Sequence, residues 1–281
     1  MLPVRWSLWL LICVFSWYLW AIDDADADKA SFVKSVSGYV GAEVASAYLG
    51  SSGAIYDTNP VSSQELGWLF DLGDYGWIGG YFWIISALHD RQNESHRMVF
   101  NEFELLIRYG QKWQISDKFA LKASAGPLWN PPIGYKDSHN NCWGPYVVAD
   151  IDNPYVVPYM SGLWLLAPQM SGRICFGVRK SFALTDTISL TPSFETVWMD
   201  RRRFDSRYGM EPEKAFFGGS FATVTTGVNL SWQITEDFRS YFKFLMFDAI
   251  NSQARKALKN QDAYYAKCDW PIFRIGAEYS F

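Results

Sequence analysis

Pro271-Ile-Phe-Arg-Ile-Gly-Ala-Glu-Tyr-Ser-Phe281 is the stretch of sequence that most clearly indicates the fold. From Phe273 onward every second residue is apolar, and the residues between them are polar, charged or Gly. Side chains of a β-strand point alternately to its two faces, so this stretch predicts a strand with one apolar and one polar face. Such a strand fits either a half-buried sheet of a soluble protein or the wall of a membrane barrel. The apolar set is Phe273, Ile275, Ala277, Tyr279 and Phe281.

The composition favours the membrane barrel. Of the 281 residues, 49% are hydrophobic and 18% aromatic, yet 19% are charged. A transmembrane barrel uses aromatic residues on its lipid face and in its interfacial girdles, which accounts for such a high aromatic share. The net charge of −4 at pH 7 gives no reason to expect a nucleic acid as partner. The length suits one large all-β domain.

The N-terminal segment has the pattern of a secretory signal peptide. Arg5 supplies a positive charge, Trp6 to Trp20 form an apolar core, and Ala21 or the stretch 25–27 offers small residues for cleavage. A membrane anchor is the alternative, but the apolar core is shorter than the about 20 residues of a spanning helix. We expect residues 1–21 to be a cleaved signal peptide, with cleavage as late as residue 27, and residues 28–281 to form the barrel.

Three cysteines follow the signal peptide, and none lies in a Cys-x-x-Cys motif, so the sequence supports no structural zinc site. We expect no metal and no cofactor. An odd number of cysteines in an oxidising compartment permits one disulfide and one free thiol. We expect at most one disulfide, involving the first of the three. These cysteines are Cys142, Cys175 and Cys268.

A short polar turn recurs along the chain. Residues 113–119, 182–188 and 232–238 are near copies, in which an aromatic and an aliphatic residue precede Ser or Thr, an acid and a hydrophobic residue. Short polar turns between apolar runs are hairpin signals. In bacterial barrels the short turns face the periplasm and the long loops face outside. The predicted external loops are the polar spacers 50–63, 87–98, 201–215 and 251–269.

Alternating segments between the turns predict ten strands, and residues 130–171 decide whether two more exist. If Asp150–Asn153 is a turn, strands at 143–149 and 154–166 raise the count to twelve. The alternative is an apolar loop folded over or into a ten-stranded barrel, which would expose costly apolar surface. We therefore predict an all-β fold, a transmembrane antiparallel up-and-down β-barrel of 12 strands, with 10 as the alternative. The other predicted strands are 36–49, 64–72, 76–87, 99–115, 118–129, 172–184, 188–199, 217–234, 238–249 and 270–281.

The run Phe182–Ser193, the strand start Asn153–Val157 and the closing Phe281 resemble uncharacterised bacterial outer-membrane β-barrels near the TorF-type putative porins. The resemblance covers roughly residues 36–281 and rests on turn motifs. It implies a porin-like protein of the bacterial outer membrane that passes small solutes or ions and has no catalytic residues. The last strand also resembles the C-terminal signal read by the barrel-assembly machinery. That signal would comprise Phe273, Ile275, Tyr279 and Phe281.

The polar faces of the predicted strands should line the lumen. Acids and bases are nearly balanced there, so the lumen is either a charge-sensing pore or a narrow bore filled by ion pairs. The narrow bore is preferred because barrel diameter grows with strand number, and strong ion selectivity is not expected. We expect the charges of 102–112 to be compensated by Glu195, Arg239 or Lys243 across the bore. The candidate lumen residues are Glu43, Glu65, Glu102, Glu104, Arg108, Lys112, Lys122, Arg179, Glu195, Arg239, Lys243, Arg274 and Glu278.

Two loop features suggest other roles. Arg201, Arg202 and Arg203 follow a predicted strand end at the height of lipopolysaccharide head groups, where basic residues can hold phosphates; a solvated loop is the alternative. His89 with the adjacent acid could form an acid–base pair, but the sequence has no hydrolase motif. We therefore expect no enzyme. The expected partners are outer-membrane lipid, lipopolysaccharide and the assembly machinery. A closed structural or surface-binding barrel is the second hypothesis, and an outer-membrane hydrolase the third.

Overall fold

In a computed structural model of the chain, the described residues are 33–50, 54–57, 59–88, 102–131, 142–167, 170–200, 219–259 and 268–281. The chain divides into two units, Met1–Lys34 and Ser35–Phe281. Of the first unit only Val33 and Lys34 are described, so the predicted signal peptide lies outside the described residues. The predicted external loop 201–215 and most of 87–98 lie outside them as well.

The second unit is built almost entirely from strands, because alternating apolar and polar residues favour the extended backbone. Twelve of the strands form a barrel wall; β2 and β3 pair only with each other, and β11 pairs only with β12. In chain order the strands are β1 Ser35–Ala45, β2 Tyr48–Gly50, β3 Ala54–Asp57, β4 Val61–Asp71, β5 Trp77–Ala87, β6 Glu102–Ser116, β7 Phe119–Asn130, β8 Cys142–Asp152, β9 Val157–Leu165, β10 Ser171–Arg179, β11 Phe182–Ala183, β12 Ile188–Met199, β13 Ser220–Gln233, β14 Phe238–Ala249 and β15 Asp269–Ser280.

The wall closes on itself. Strand β1 pairs antiparallel with β4 on one side and with the last strand, β15, on the other, so that Tyr39 lies between Gly67 and Ser280. Every other wall strand pairs antiparallel with its neighbour in the chain. Closure pairs the backbone groups of every wall strand on both sides, which a sheet in lipid requires because no water is present there. The prediction of a 12-stranded antiparallel barrel is confirmed, and the ten-stranded alternative is wrong.

The turn between β8 and β9 explains why the region 130–171 is part of the wall. The Asn153 Oδ1 accepts hydrogen bonds from the backbone N–H groups of Tyr155, at 2.9 Å, and Val156, at 3.1 Å. Its Nδ2 donates to the carbonyl of Ile151 at 3.0 Å. An Asn side chain that replaces backbone partners in this way stabilises a tight turn. The turn comes later than the predicted 150–153, because β8 continues to Asp152.

The two ends of the barrel differ in their connections. Short turns follow β4, β6, β8, β10 and β13. All of them lie at the same end of the barrel as the start of β1 and Phe281, and we call this the turn end. The longer connections lie at the opposite end, the loop end. There the structure adds two elements that the sequence did not predict, the β2–β3 hairpin and helix α1, Ser252–Lys259. The Asn251 Oδ1 caps α1 by accepting from the N–H groups of Gln253 and Ala254.

The outer face of the barrel is apolar around the whole wall. Val40 on β1 is 51% exposed, Ile107 on β6 44% and Ile275 on β15 61%. A continuous apolar surface of this extent is not stable in water, so the barrel wall lies in lipid. The residues of the predicted assembly signal, Phe273, Ile275, Tyr279 and Phe281, are all exposed on this face. Among the described helices, none is long and apolar enough to cross a membrane.

Candidate functional site

The candidate site is the barrel interior, where Glu43 is the best-compensated acid. Its Oε1 accepts a hydrogen bond from the Arg274 guanidinium at 3.2 Å. Its Oε2 accepts from the Lys243 ammonium at 3.4 Å and from the Tyr241 hydroxyl at 3.2 Å. The Glu43 side chain is only 11% exposed. Two positive charges, Arg274 on the neighbouring strand β15 and Lys243 one strand further on β14, therefore compensate one nearly buried carboxylate. Burial of a charge requires such compensation.

A glycine allows the tyrosine of this group to reach the acid. Tyr241 on β14 lies in register with Gly276 on β15, and Gly276 lies in register with Glu43 on β1. A Cβ added at Gly276 would lie 2.4 Å from the Tyr241 ring, so only Gly lets the ring lie across β15. The same arrangement recurs on β9, β10 and β12 with Tyr159, Gly177 and Glu195, where the hydroxyl donates to Oε2 at 3.0 Å.

Two further tyrosines donate to interior carboxylates. The Tyr39 hydroxyl on β1 donates to Glu65 on β4, and the Tyr81 hydroxyl on β5 donates to Glu104 on β6. Glu104 is only 8% exposed. Four glutamates in the interior thus accept a hydrogen bond from a tyrosine, in different sectors of the wall. A hydroxyl that donates to a carboxylate stabilises its charged form without adding positive charge.

Arg239, Lys112 and Lys122 lie nearer the turn end and are more exposed than Glu43. Arg239 pairs with Glu278 on the neighbouring strand at 2.9 Å, and Lys122 pairs with Asp152 at 2.9 Å. Lys112 is exposed and lies in register with Lys122. Glu102 belongs to β6, but its side chain is outside the described part of the structure.

Two arginines lie over aromatic rings, and neither forms an ion pair with an acid among the described residues. The guanidinium of Arg108 lies 5.5 Å from the centre of the Trp77 ring and also donates to Ser124 Oγ at 3.3 Å. Arg179 lies 5.3 Å from the centre of the Tyr159 ring. Both contacts have the geometry of a cation–π interaction.

The expected compensation across the bore is not what the structure shows. Glu195 bonds to Tyr159, Arg239 pairs with Glu278, and Lys243 pairs with Glu43. None of these three side chains forms an ion pair with β6 within the described residues. The reason is the strand order, since β14 is separated from β6 by four strands and each side chain reaches a partner on a nearer strand. The number of charges was readable from the sequence, but their pairing depends on register.

The loop-end half of the interior is largely apolar, with the buried Arg173 as an exception, and the sequence analysis missed this. Three clusters of buried residues, which we call the loop-end clusters, cover the inward faces of the strands there. Leu106 lies on the face of β6 that otherwise carries Glu104 and Arg108, and it is fully buried. An apolar residue on the otherwise polar face of β6 was the feature of the sequence that could have indicated an apolar region of the interior. The clusters comprise Ala47, Cys175, Val197, Met199, Ala222, Phe247, Ala249, Ala254, Cys268 and Ile272; Ala45, Tyr48, Val61 and Ile85; and Leu106, Leu128, Leu163 and Leu165.

Described residues line two cavities inside the barrel. The larger has a volume of about 410 Å³, and its lining comes from nine strands, including Glu65 on β4, Glu195 on β12 and Tyr48 on the β2–β3 hairpin. The smaller has a volume of about 280 Å³ and surrounds Glu43 and its partners. Strands from all sides contribute to the larger cavity, so it lies in the lumen and not on the outer surface.

The other candidates from the sequence are residues of the predicted loops and the cysteines. Arg201, Arg202, Arg203 and His89 lie outside the described residues. Cys175 and Cys268 are buried free thiols, so neither forms the disulfide with Cys142 that the sequence permitted. Within the described part of the chain, no group of His, Cys, Asp and Glu could hold a metal ion.

No protein-family model matches the chain, and no curated protein sequence matches it. Solved structures of similar fold are outer-membrane channels and porins. The COG4313 outer membrane channel from Pseudomonas putida F1 is 11% identical, with a TM-score of 0.52 over 91% of this chain and 100% of that chain. The KdgM porin is 11% identical, with a TM-score of 0.46 over 87% and 99%. The NanC porin is 10% identical, with a TM-score of 0.46 over 87% and 99%.

The likeness to the Pseudomonas putida channel establishes the fold and nothing finer at this identity. The closed antiparallel wall and its apolar outer face agree with that fold. Closed barrels with an even number of antiparallel strands, an apolar outer band and a polar interior are the spanning structures of bacterial outer membranes. The chain is an outer-membrane β-barrel of porin-like fold.

Proposed function

We propose that the chain is a narrow porin-like channel through which small solutes or ions cross the bacterial outer membrane passively. The observation that carries the proposal is the pair of cavities in the lumen, about 410 and 280 Å³, lined by charged and hydroxyl-bearing side chains. An interior packed solid with side chains would leave no such spaces, because protein interiors pack with few voids. Cavities of this size admit water, ions and solutes of up to the size of a small sugar.

The lumen is expected to conduct weakly. A wall of 12 strands encloses a small bore, and the loop-end clusters narrow it further with apolar side chains. Hydrophobic constrictions of this kind limit ion flow because they exclude water. Transport needs no catalytic residue in this proposal, and no cofactor.

Finer assignments are part of the same proposal. The turn motifs support membership of the TorF-type putative porins. The apolar terminal strand, with Phe281 exposed on the lipid face, supports recognition by the barrel-assembly machinery. The lengths of the connections support an orientation with the turn end in the periplasm. Arg201, Arg202 and Arg203 remain proposed contacts for lipopolysaccharide phosphates.

A closed barrel with a structural or surface-binding role is the second candidate function. The observation that favours it is the burial of the loop-end clusters, in which Phe247, Met199 and Ile272 have no exposed surface. Such a barrel would keep the two cavities but would not conduct, because the loop-end clusters would seal it.

Single-channel recording in planar lipid bilayers separates the two candidates. The channel proposal expects small discrete current steps from folded protein and none from heat-unfolded protein. Thr225 lines the larger cavity, whereas the next residue, Thr226, is exposed on the lipid face. Thr225→Trp should therefore reduce the step size, and the matched variant Thr226→Trp should leave it unchanged. Absence of steps from folded protein, or equal effects of the two substitutions, would reject the channel and favour the closed barrel.

A further inference from the structure

The larger cavity carries more negative charge than the interior as a whole. Its charged lining consists of Glu65, Glu104 and Glu195 against a single base, Arg274. The guanidinium of Arg274 already donates to Glu43, which lines the smaller cavity. Acids and bases are nearly balanced over the whole lumen, but the lining of the larger cavity contains more carboxylates than bases.

Two of these carboxylates have room for another donor. Glu65 accepts from Tyr39 and Glu195 accepts from Tyr159. Within the described part of the chain, neither forms an ion pair with Lys or Arg. A carboxylate has about four acceptor sites on its two oxygens, so one hydroxyl leaves most of them available. Both residues line the cavity, and a bound cation would compensate charges that the protein itself does not pair.

Aromatic side chains form much of the remaining wall. Trp83 and Tyr48 lie against each other, with ring centres 6.1 Å apart, and both line the cavity. Tyr81 and Tyr159 line it as well. Aromatic faces attract organic cations, and a quaternary ammonium group is best held where several rings surround it beside an acid. The larger cavity thus combines aromatic walls with two carboxylates, Glu65 and Glu195, that form no ion pair with Lys or Arg among the described residues.

The smaller cavity shows that the charge excess is local. It is lined by Arg239, Lys243 and Arg274 together with Glu43, Glu65 and Glu278, so its charges are balanced. The two arginines that lie over aromatic rings, Arg108 and Arg179, do not belong to the lining of the larger cavity. A further buried base, Arg173 on β10, donates to Cys175 Sγ at 3.6 Å and is likewise absent from the lining of the larger cavity.

We propose that the larger cavity is a binding site for a small organic cation with an alkylammonium group. The inference rests on the proposed function for its role, since a solute that occupies this site would be one that the channel passes. Binding itself does not require conduction. A titration with folded protein in detergent therefore tests the site even if the bilayer experiment finds no current steps.

The test is isothermal titration calorimetry of the folded, detergent-solubilised full chain with choline chloride at constant ionic strength. Its uncharged isostere, 3,3-dimethyl-1-butanol, is the control ligand. We expect saturable binding of choline and none of the isostere. The double variant Glu65→Gln and Glu195→Gln keeps an acceptor for each tyrosine, so the fold should persist while choline affinity falls about tenfold or more.

Asp152→Asn is the matched control variant. It removes one negative charge from the interior, but Asp152 is paired with Lys122 near the turn end and does not line the cavity. Choline affinity should stay within about twofold of the wild type in this variant. Lack of choline binding, equal binding of the isostere, an unchanged affinity in the double variant, or an equal loss in Asp152→Asn would each overturn the cation site.

Discussion

Strand β14 runs through two different interiors. At its turn end, the Arg239 side chain is 47% exposed and pairs with Glu278. At its loop end, Phe247 and Ala249 point to the same inner face and have no exposed surface. The strand keeps one alternation along its whole length, with Phe242, Phe244 and Met246 towards lipid. The inner face of a membrane barrel therefore need not be polar throughout. Along the barrel axis it changes from charged residues at the turn end to buried apolar residues at the loop end.

The two halves should contribute differently to stability. Buried apolar side chains at the loop end contribute both the removal of apolar surface from water and close packing. The exposed ion pairs at the turn end contribute little, because water screens them. Substitutions in the two halves therefore give the means to test the division.

The largest effect is expected at the centre of the loop-end clusters. Phe247→Ala removes a fully buried ring and leaves a cavity, which should lower the free energy of unfolding by about 3–5 kcal/mol. Arg239→Ala on the same strand should cost only about 0–1 kcal/mol. Equilibrium urea unfolding of the barrel in lipid vesicles measures both values. Similar losses for the two variants would show that the interior is not divided in this way.

An intermediate effect is expected at Glu43, between the two halves. Glu43→Gln removes the acid that compensates Lys243 and Arg274, leaving two partly buried positive charges, and should cost about 3 kcal/mol. Glu278→Gln makes the same chemical change at the pair with Arg239, where less than about 1 kcal/mol is expected because the Arg239 side chain left without a partner is 47% exposed, although Glu278 itself is 17% exposed. The same unfolding measurement compares them. If Glu278→Gln costs as much as Glu43→Gln, the ion pairs of the turn end are as well shielded from water as those of the centre.

The smallest effect is expected at Lys112. This residue is exposed and lies opposite Lys122 in the β6–β7 register. Lys112→Glu replaces two like charges by an opposite pair, so stability should change by less than about 1 kcal/mol. In a conducting barrel the reversal potential should shift toward cation selectivity. A strong loss of stability would mean that Lys112 is buried by a partner and that the turn end is filled.

The sequence predicts much of this fold because alternation is local. The twelve strands and the turn ends follow from period-two patterns and from polar turn residues such as Asn153. Strand β5 is apolar on both faces. The structure explains it, because Ile85 and Trp83 belong to the loop-end side of the interior while Ile78 faces lipid.

The site was predictable only in part, because its geometry depends on long-range register. The sequence marked Glu43, Glu65 and Glu195 as candidate interior acids. Their partners lie on other strands, and the contact of Tyr241 with Glu43 joins residues 198 positions apart. The tyrosines were not predicted, although glycines in register with them, such as Gly276, were visible as gaps in the polar faces. The β2–β3 hairpin and α1 were missed because their segments carry no clear periodicity.

The division of the interior is tested most directly by the water access of two positions on β14. In a variant with Cys142, Cys175 and Cys268 replaced by Ala, a single cysteine is introduced as Arg239→Cys or as Ala249→Cys. The rate of reaction with a small, charged, membrane-impermeant thiol reagent is then measured on folded protein in detergent micelles. We predict fast labelling of Arg239→Cys and labelling at least about a hundredfold slower of Ala249→Cys, because a buried thiol reacts only through transient opening. Equal rates at the two positions would contradict the account, since they would show that water fills the loop end as freely as the turn end.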